Sequence, residues 1–322
     1  MAVSSEQAVE ILRAAGEPTR LRILALLSRE ELSVLELCTV LDQSQPRVSR
    51  HLKLLAEAGL VERFPDGAWV FYRLATEGSG RVLADGALAQ IDRDDAALAH
   101  DAERLSRVAT ERGSEAAAYF ARNAARWDEI RSLHVAEADV EAEIQSLVGD
   151  DPMGLLVDLG AGTGRMLTLL GPRAGRSVGL DLSQQMLNIA RLNVSEAGLA
   201  ACELRHGDIF ATALPTGCAD LVTVHQVLHY LGDPAAAVAE AARLVAPGGR
   251  LLIVDFAPHA LENLREQHQH RRLGFSDEEI GRWFDGAGLA LEATTALPPA
   301  AAGLTVKIWT ARRPAQAERS AA

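Results

Sequence analysis

Apolar and polar residues change rhythm along this chain. From Ser4 to Leu55 apolar positions recur three and four apart. They are Val9, Ile11 and Leu12 before Gly16, then Leu21, Ile23, Leu24 and Leu27 after Pro18, then the stretch from Ser33 to Leu41, then Val48, Leu52 and Leu55. That spacing predicts four short amphipathic helices. Asp42 to Ser44 turns the chain before the fourth, with Ser44 as its N-cap, Pro46 in its first turn and Gly59 at its end. From Val61 to Leu74 the residues alternate around Pro65-Asp66-Gly67, which predicts a β-hairpin. From Ala84 to Ala109, Leu88, Ile91, Leu98, Ala102 and Leu105 return at about heptad spacing, interrupted at Asp95. One long helix able to pair with a second copy is the expectation.

Past Gly113-Ser114 the pattern changes again. Tyr119 to Leu133 is expected as a helix carrying Phe120 and Trp127, which core packing explains best. Short apolar runs then alternate with helical stretches. Strands are expected ending at Leu159, over Arg176 to Ser183, over Glu203 to Phe210, from Leu221 to Val224 and within Ala246 to Phe256, with Leu289 to Leu297 and Leu304 to Thr310 closing the sheet antiparallel. The first strand ends in Asp158 and breaks into Gly160, Gly162 and Gly164 ahead of the helical run Arg165 to Leu170. Glycines there let the backbone turn sharply and a ligand press against it, while the helix offers free N–H groups. Asp181 follows about 20 residues later, where an acid can take the ribose hydroxyls of a nucleoside. These segments together predict a nucleotide-type cofactor site.

This order resembles class I S-adenosylmethionine-dependent methyltransferases over roughly residues 115–313. The spacing G-x-G-x-G after Asp158 separates it from the G-x-G-x-x-G of nicotinamide-binding domains. The resemblance implies an α/β fold with a Rossmann-like, mostly parallel seven-stranded sheet and S-adenosyl-L-methionine as cofactor. It also implies that Gly160, Ala161, Gly162 and Gly164 approach the amino-acid part of that cofactor, and that Asp181 with Leu182 holds the ribose. Asp208 with Ile209 would frame the adenine, Met186 would stack on its other face, and Asp158 would order the loop. His225, at the end of the fourth strand, joins this set. His225 and His229 are candidate general bases for a hydroxyl or protonated amine, against a role in lining the pocket or capping the helix. No Asn-Pro-Pro-Tyr or Asp-Pro-Pro-Tyr stretch follows the fourth strand, which disfavours methylation of DNA bases. Between Pro258 and Phe275, Arg265, Arg271 and Arg272 suit a lid that attracts an anionic acceptor, and a solvated helix is the competing reading.

The fourth helix holds Arg47, Arg50 and Lys53 without an acid between Gln43 and Leu55. Arg47 and Arg50 share one face that could enter a major groove. The expected DNA-contacting set is Ser44, Gln45, Arg47, Ser49, Arg50, His51 and Lys53, with Arg63 and Arg73 flanking the wing to reach phosphates. Helices followed by a hairpin, and the wording of Gly16 to Leu24 and Ser44 to Leu52, resemble ArsR-type winged-helix repressors. That resemblance implies a homodimer reading a palindromic duplex operator. The family's cysteine metal ligands would fall at Ser33 and Leu35, so no metal is expected.

Charge narrows the partners. With 32 Lys and Arg against 44 Asp and Glu, the net charge is −12, so any DNA contact must come from a local basic face. Cys38, Cys202 and Cys218 form no C-x-x-C pair, consistent with a reduced compartment. The chain shows neither a signal pattern nor an apolar run long enough to span a bilayer, so a cytoplasmic location without membrane contact is expected. The chain is expected to divide into a winged-helix domain over 1–80, a dimerisation helix over 81–113, a methyltransferase domain over 114–313 and a disordered tail over 314–322. Two functions stay open. The protein is a regulator whose enzyme domain methylates a small-molecule acceptor, or a non-catalytic sensor of S-adenosylmethionine or S-adenosylhomocysteine.

Overall fold

A computed structural model describes residues 3–66, 69–92, 95–124, 137–299 and 303–315. The chain parts into two units, Met1–Glu115 and Ala116–Ala322. Trp127 with the rest of the expected helix beyond residue 124, the centre of the wing turn at Gly67, and most of the tail lie outside the described residues.

The first unit holds α1 (Ser5–Ala15), α2 (Pro18–Leu27), α3 (Val34–Leu41) and α4 (Gln45–Glu57). Its hairpin is β2 (Val61–Asp66) with β3 (Trp69–Leu74), and α5 (Gly78–Ala89) follows. A two-residue strand β1 (Leu32–Ser33), not foreseen from the pattern, pairs with Tyr72 and Phe71 and makes the hairpin a three-stranded sheet. Val48, Leu52 and Leu55 are fully buried, so α4 turns its apolar face inward and leaves its cationic face outside. The long helix expected from Ala84 to Ala109 is instead two. α5 ends at Ala89, and α6 (Ala96–Asn123) starts afresh because the Asp95 carboxylate accepts the N–H groups of Ala97 and Leu98, both at 3.0 Å. Asp95, which interrupts the apolar seam, caps a helix start. Ala84 and Leu105 of that seam join the core of their own unit. The Arg22 guanidinium meets buried Asp101 in two 2.6 Å hydrogen bonds and ties α6 to α2.

In the second unit α7 (Glu137–Val148) precedes β4 (Met153–Leu159), α8 (Arg165–Leu170), β5 (Ala174–Asp181), α9 (Gln184–Glu196) and β6 (Cys202–His206). Then come β7 (Ala219–His225), α10 (Pro234–Leu244), β8 (Val245–Phe256), α11 (Asn263–His268), α12 (Asp277–Gly286), β9 (Ala290–Leu297) and β10 (Val306–Arg312). Seven strands lie in the order β6-β5-β4-β7-β8-β10-β9, and β10 runs antiparallel to both its neighbours in an otherwise parallel sheet. This is the mostly parallel α/β architecture expected. Alternate residues serve opposite faces. Val157, Val222, Leu251 and Ile253 pack with Ala237, Val238 and Phe284, whereas Leu156, Leu221, Leu252 and Val254 pack with Ile144, Leu167 and Leu170. Burial on both faces explains why these strands read as unbroken apolar runs.

Candidate functional site

The strand order reverses between β4 and β7, so the loops leaving those two strands part and open a crevice at the carboxyl end of the sheet. On one side lies the glycine loop. Gly160 has φ +74° and an added Cβ would stand 2.4 Å from Val227 Cγ2, so no other residue fits without moving the turn after β7. The N–H groups of Gly160 and Ala161 both donate to the Leu180 carbonyl, at 2.8 and 2.9 Å. Gly162, at φ 52°, donates its N–H to Asp181 Oδ2 at 2.8 Å, and Asp181 Oδ1 accepts the Ser183 N–H at 2.7 Å. Burial raises the Asp181 carboxyl above its ordinary range, opposed by these backbone donors. An ionised carboxylate offers about four acceptor positions, so two N–H groups do not exhaust it.

Asp158 is buried and accepts the Thr223 hydroxyl at 2.6 Å, joining β4 to β7 beneath the loop. Asp208 lies beyond β6, exposed, with one oxygen held by the Phe210 N–H at 3.0 Å, and Ile209 is buried beside it. Met186, expected to stack on a ring, is only 2% exposed because α9 turns it into the sheet. The apolar side chains open to solvent at this edge are Leu182 (53%) and Phe210 (40%). Phe210 escaped the sequence reading, although an aromatic directly after Asp208-Ile209 was its signal.

On the other side of the crevice, His225 ends β7 and the chain turns through Gln226, whose φ is 53°. A 3-10 turn, Leu228–Tyr230, then places His229 against β8. His229 Nδ1 lies 2.7 Å from Asp255 Oδ1, and both residues are buried, at 1% and 0% exposure. Its carbonyl accepts the N–H groups of Arg271 and Arg272 at 2.8 and 3.0 Å. Around its ring stand Tyr230, His270 and Phe256, with centroids 4.0, 4.2 and 5.0 Å away. Phe120 meets Tyr230 edge-on at 4.8 Å, and Tyr119 is hydrogen-bonded to His268 Nδ1 at 2.8 Å. Burial pushes the Tyr230 phenol well up. His268 and His270, two apart, reach one cluster because Gln269 between them is left-handed, at φ 59°.

The three arginines of this segment are neither a solvated face nor an open anion trap. Arg265, Arg271 and Arg272 are all buried; Arg265 bonds Glu262 and the Arg271 carbonyl, and Arg272 bonds Glu279 at 2.8 Å. Among the described residues no three His, Cys, Asp or Glu side chains are grouped to hold a metal ion.

In the first unit, Ser44, Gln45, Arg47, Arg50, Lys53 and Arg63 are exposed and Ser49 is half-buried. Ser44 stands at the N-cap of α4, but its hydroxyl makes no cap hydrogen bond. Two expected DNA contacts turn inward. His51 Nδ1 faces Glu17 Oε2 at 3.6 Å, and burial lowers its pKa against the pull of Glu17. The Arg73 guanidinium reaches Glu62 at 2.9 Å and Glu31 at 3.3 Å and lies over the Phe64 ring. Their positions on α4 and β3 put them on the core side, where Glu62 and Glu31 bind Arg73 and Glu17 lies near His51.

Residues 17–63 match the family described as bacterial regulatory protein, arsR family, and residues 157–253 match the methyltransferase domain. The arsenical resistance operon repressor of Escherichia coli (strain K12) is 50% identical over 68 residues, 21% of this chain and 58% of the repressor. A ubiquinone biosynthesis O-methyltransferase of Thiobacillus denitrificans is 32% identical over 157 residues, 44% of this chain and 67% of that enzyme. A methyltransferase of Haloferax volcanii, solved in complex with the Trm112 activator, shares the fold with a TM-score of 0.51 at 20% identity, over 61% of this chain and 97% of that one. The chain spans a little over half the length of the first curated relatives it matches, 58% and 53%. No helix among the described residues is long and apolar enough to cross a membrane.

Proposed function

This chain belongs to the arsR family of bacterial regulatory proteins in its first part and to the methyltransferase-domain proteins in its second, and from that premise we propose a DNA-binding regulator that methylates a small-molecule acceptor with S-adenosyl-L-methionine. The observation that carries the cofactor reading is the latch between Gly162 and Asp181. It pairs a glycine-rich loop with an acid that keeps acceptor positions for a ribose. Gly160, Ala161, Gly162 and Gly164 would cradle the amino-acid part, Asp181 the ribose, and Asp208 with Ile209 the adenine, with Leu182 and Phe210 at the rim. Asp158 acts from beneath through Thr223. When bound, the cofactor supplies a methyl group already activated by its sulfonium. The chain's own task is then to align a nucleophile, exclude water and receive a proton. His225 and His229 stand on the facing side of the crevice for that last role.

In the first unit, exposed Arg47 and Arg50 would read base edges, while Ser44, Gln45, Ser49, Lys53 and Arg63 position the duplex. A homodimer on a palindromic operator is supported by Val9 and Leu12 of α1 and Val82 of α5, which are 44%, 51% and 70% exposed and offer apolar surface to a second copy. The O-methyltransferase named among the relatives acts on oxygen, which makes a hydroxyl the acceptor to try first. The deciding experiment measures operator affinity and methyl turnover on one preparation, with S-adenosylmethionine and with S-adenosylhomocysteine. Turnover supports the enzyme. Operator affinity that follows the cofactor, with no turnover on any acceptor, would replace it with a sensor.

A further inference from the structure

Buried polar atoms in folded proteins nearly always have a partner, and an exception needs an explanation. His229 Nε2 is such an exception, buried with no hydrogen-bond partner. The other ring nitrogen is fully committed. Asp255 Oδ1 already accepts the Phe256 N–H, and as the acceptor at 2.7 Å from the ring it leaves Nδ1 carrying the hydrogen and Nε2 presenting a bare lone pair. Asp255 is itself held in place, since the Phe256 N–H donates to the same Oδ1 at 2.8 Å. The His229 carbonyl is pinned by the Arg271 and Arg272 N–H groups. Ring, tautomer and direction are therefore set before any ligand arrives.

We propose that His229 is the catalytic base and Asp255 its positioning residue, and that the acceptor is a neutral aromatic hydroxyl whose proton passes to His229 Nε2. The proposal rests on the methyltransfer reading above. The O–H proton goes to Nε2 and its electron pair stays on oxygen; that oxygen forms the new O–CH3 bond; the C–S bond breaks with its pair going to sulfur. The sulfonium charge is lost, the imidazolium charge is gained, and the imidazolium then returns its proton to water.

The class of acceptor follows from the rings that surround the His229 imidazole. Tyr230, His270 and Phe256 stand on the His229 ring, with Phe120 and Tyr119 beyond, so a flat ring joins this stack with favourable edge and face contacts. An anionic acceptor would need a cation, and Arg265 and Arg272 are already bound to Glu262 and Glu279. An aliphatic hydroxyl titrates too far from imidazole for efficient proton transfer, whereas an aromatic one is closer. The pairing was hidden in the chain because His229 and Asp255 are 26 residues apart and meet only where β7 and β8 end side by side.

The test uses the full-length protein and 4-nitrophenol, a phenol whose ionised form absorbs at its own wavelength. In buffer where the free probe is mostly protonated, wild type with S-adenosylhomocysteine should bind it and shift it to the phenolate. His229→Gln should bind it and leave it neutral, and Asp255→Asn should lower the ionised fraction at least severalfold with the cofactor affinity unchanged. A merely structural pair would alter probe affinity and melting without altering the ionisation of bound probe. Nitrogen NMR of the wild type adds a measurement independent of any variant, and should show hydrogen on Nδ1 of His229 and none on Nε2. An Nε2–H tautomer, a wild type that does not bind the probe, or bound probe ionised equally in wild type and His229→Gln each overturns the proposal. Failure of wild type to bind S-adenosylmethionine by calorimetry overturns the function on which it rests. Cofactor binding with a probe that stays protonated overturns this inference alone.

Discussion

Gly162 and Asp181, 19 residues apart, are joined by a 2.8 Å hydrogen bond from the glycine N–H to Oδ2, so the loop at the end of β4 is shaped by the acid at the end of β5. One carboxylate thus sets the backbone and faces the proposed ribose. Asp181→Asn should weaken S-adenosylmethionine binding by about 1.5–3 kcal/mol, the usual worth of a hydrogen bond to a charged group. Calorimetry would measure the loss while circular dichroism reports the fold. Burial raises the Asp181 pKa, so acidification protonates it earlier than an ordinary aspartate. Cofactor affinity should be full above that raised value and fall as the pH drops through it. An affinity that stays flat until the ordinary aspartate range would mean that Asp181 does not hold the ligand.

Arg47→Ala and Arg50→Ala should each weaken operator binding by about 1–3 kcal/mol if they reach base edges. Arg73→Ala should act differently. Its guanidinium donates to buried Glu31 and part-exposed Glu62, so its loss should cost stability, about 1.5–3 kcal/mol, the usual worth of a hydrogen bond to a charged group. Urea unfolding and electrophoretic mobility shifts on the three variants separate these outcomes. Unchanged stability with lost affinity for Arg73→Ala would return it to the DNA face.

Two serines at helix starts should respond unequally. Ser33 caps α3 in a reciprocal box, its hydroxyl accepting the Glu36 N–H at 3.3 Å while Glu36 accepts the Ser33 N–H at 2.8 Å. Ser44 caps α4 in backbone geometry alone. Ser33→Ala should therefore destabilise the first unit by about 1 kcal/mol and Ser44→Ala by clearly less. Thermal melts of both variants in the full chain would show it.

Glu240 accepts from Arg243 at 2.7 Å and from the Thr212 hydroxyl at 2.6 Å. The Arg243 hydrogen bond leads the causes that lower its pKa from 4.5 to about 2. A depressed acid stabilises the fold above its unfolded value, and that contribution is lost as the pH falls through the folded one. Wild type should hence lose stability between about pH 4.5 and 2 more steeply than Glu240→Gln. Urea unfolding at stepped pH reads the difference in slope.

Much of the architecture was legible because it is local. The glycine loop and the apolar face of α4 depend on residues within a turn or two of one another. The runs that became β4, β5, β7 and β8 were readable because strands buried on both faces carry unbroken apolar stretches. Even the split between α5 and α6 had its signal in Asp95. That residue read as a flaw in a seam because a cap and an interruption look alike until it is known whether the helix runs on or restarts there.

Local patterning along the chain specified most of the helices and strands and the places of the glycine loop and the cationic helix, but neither β1 nor the break between α5 and α6. The tertiary structure decided which way the polar side chains of those elements face. His51 and Arg73 carry the residue types of a DNA surface, yet Glu17, Glu31 and Glu62 draw them inward from other segments. Asp255 is one charge in the apolar run Leu251 to Phe256, and only the pairing of β7 with β8 brings it to His229. The physical reason is the same in each case. Periodicity reports the medium a residue meets, water or core, whereas a buried charge is placed by one specific partner, and that partner is chosen by the packing of elements distant in the chain.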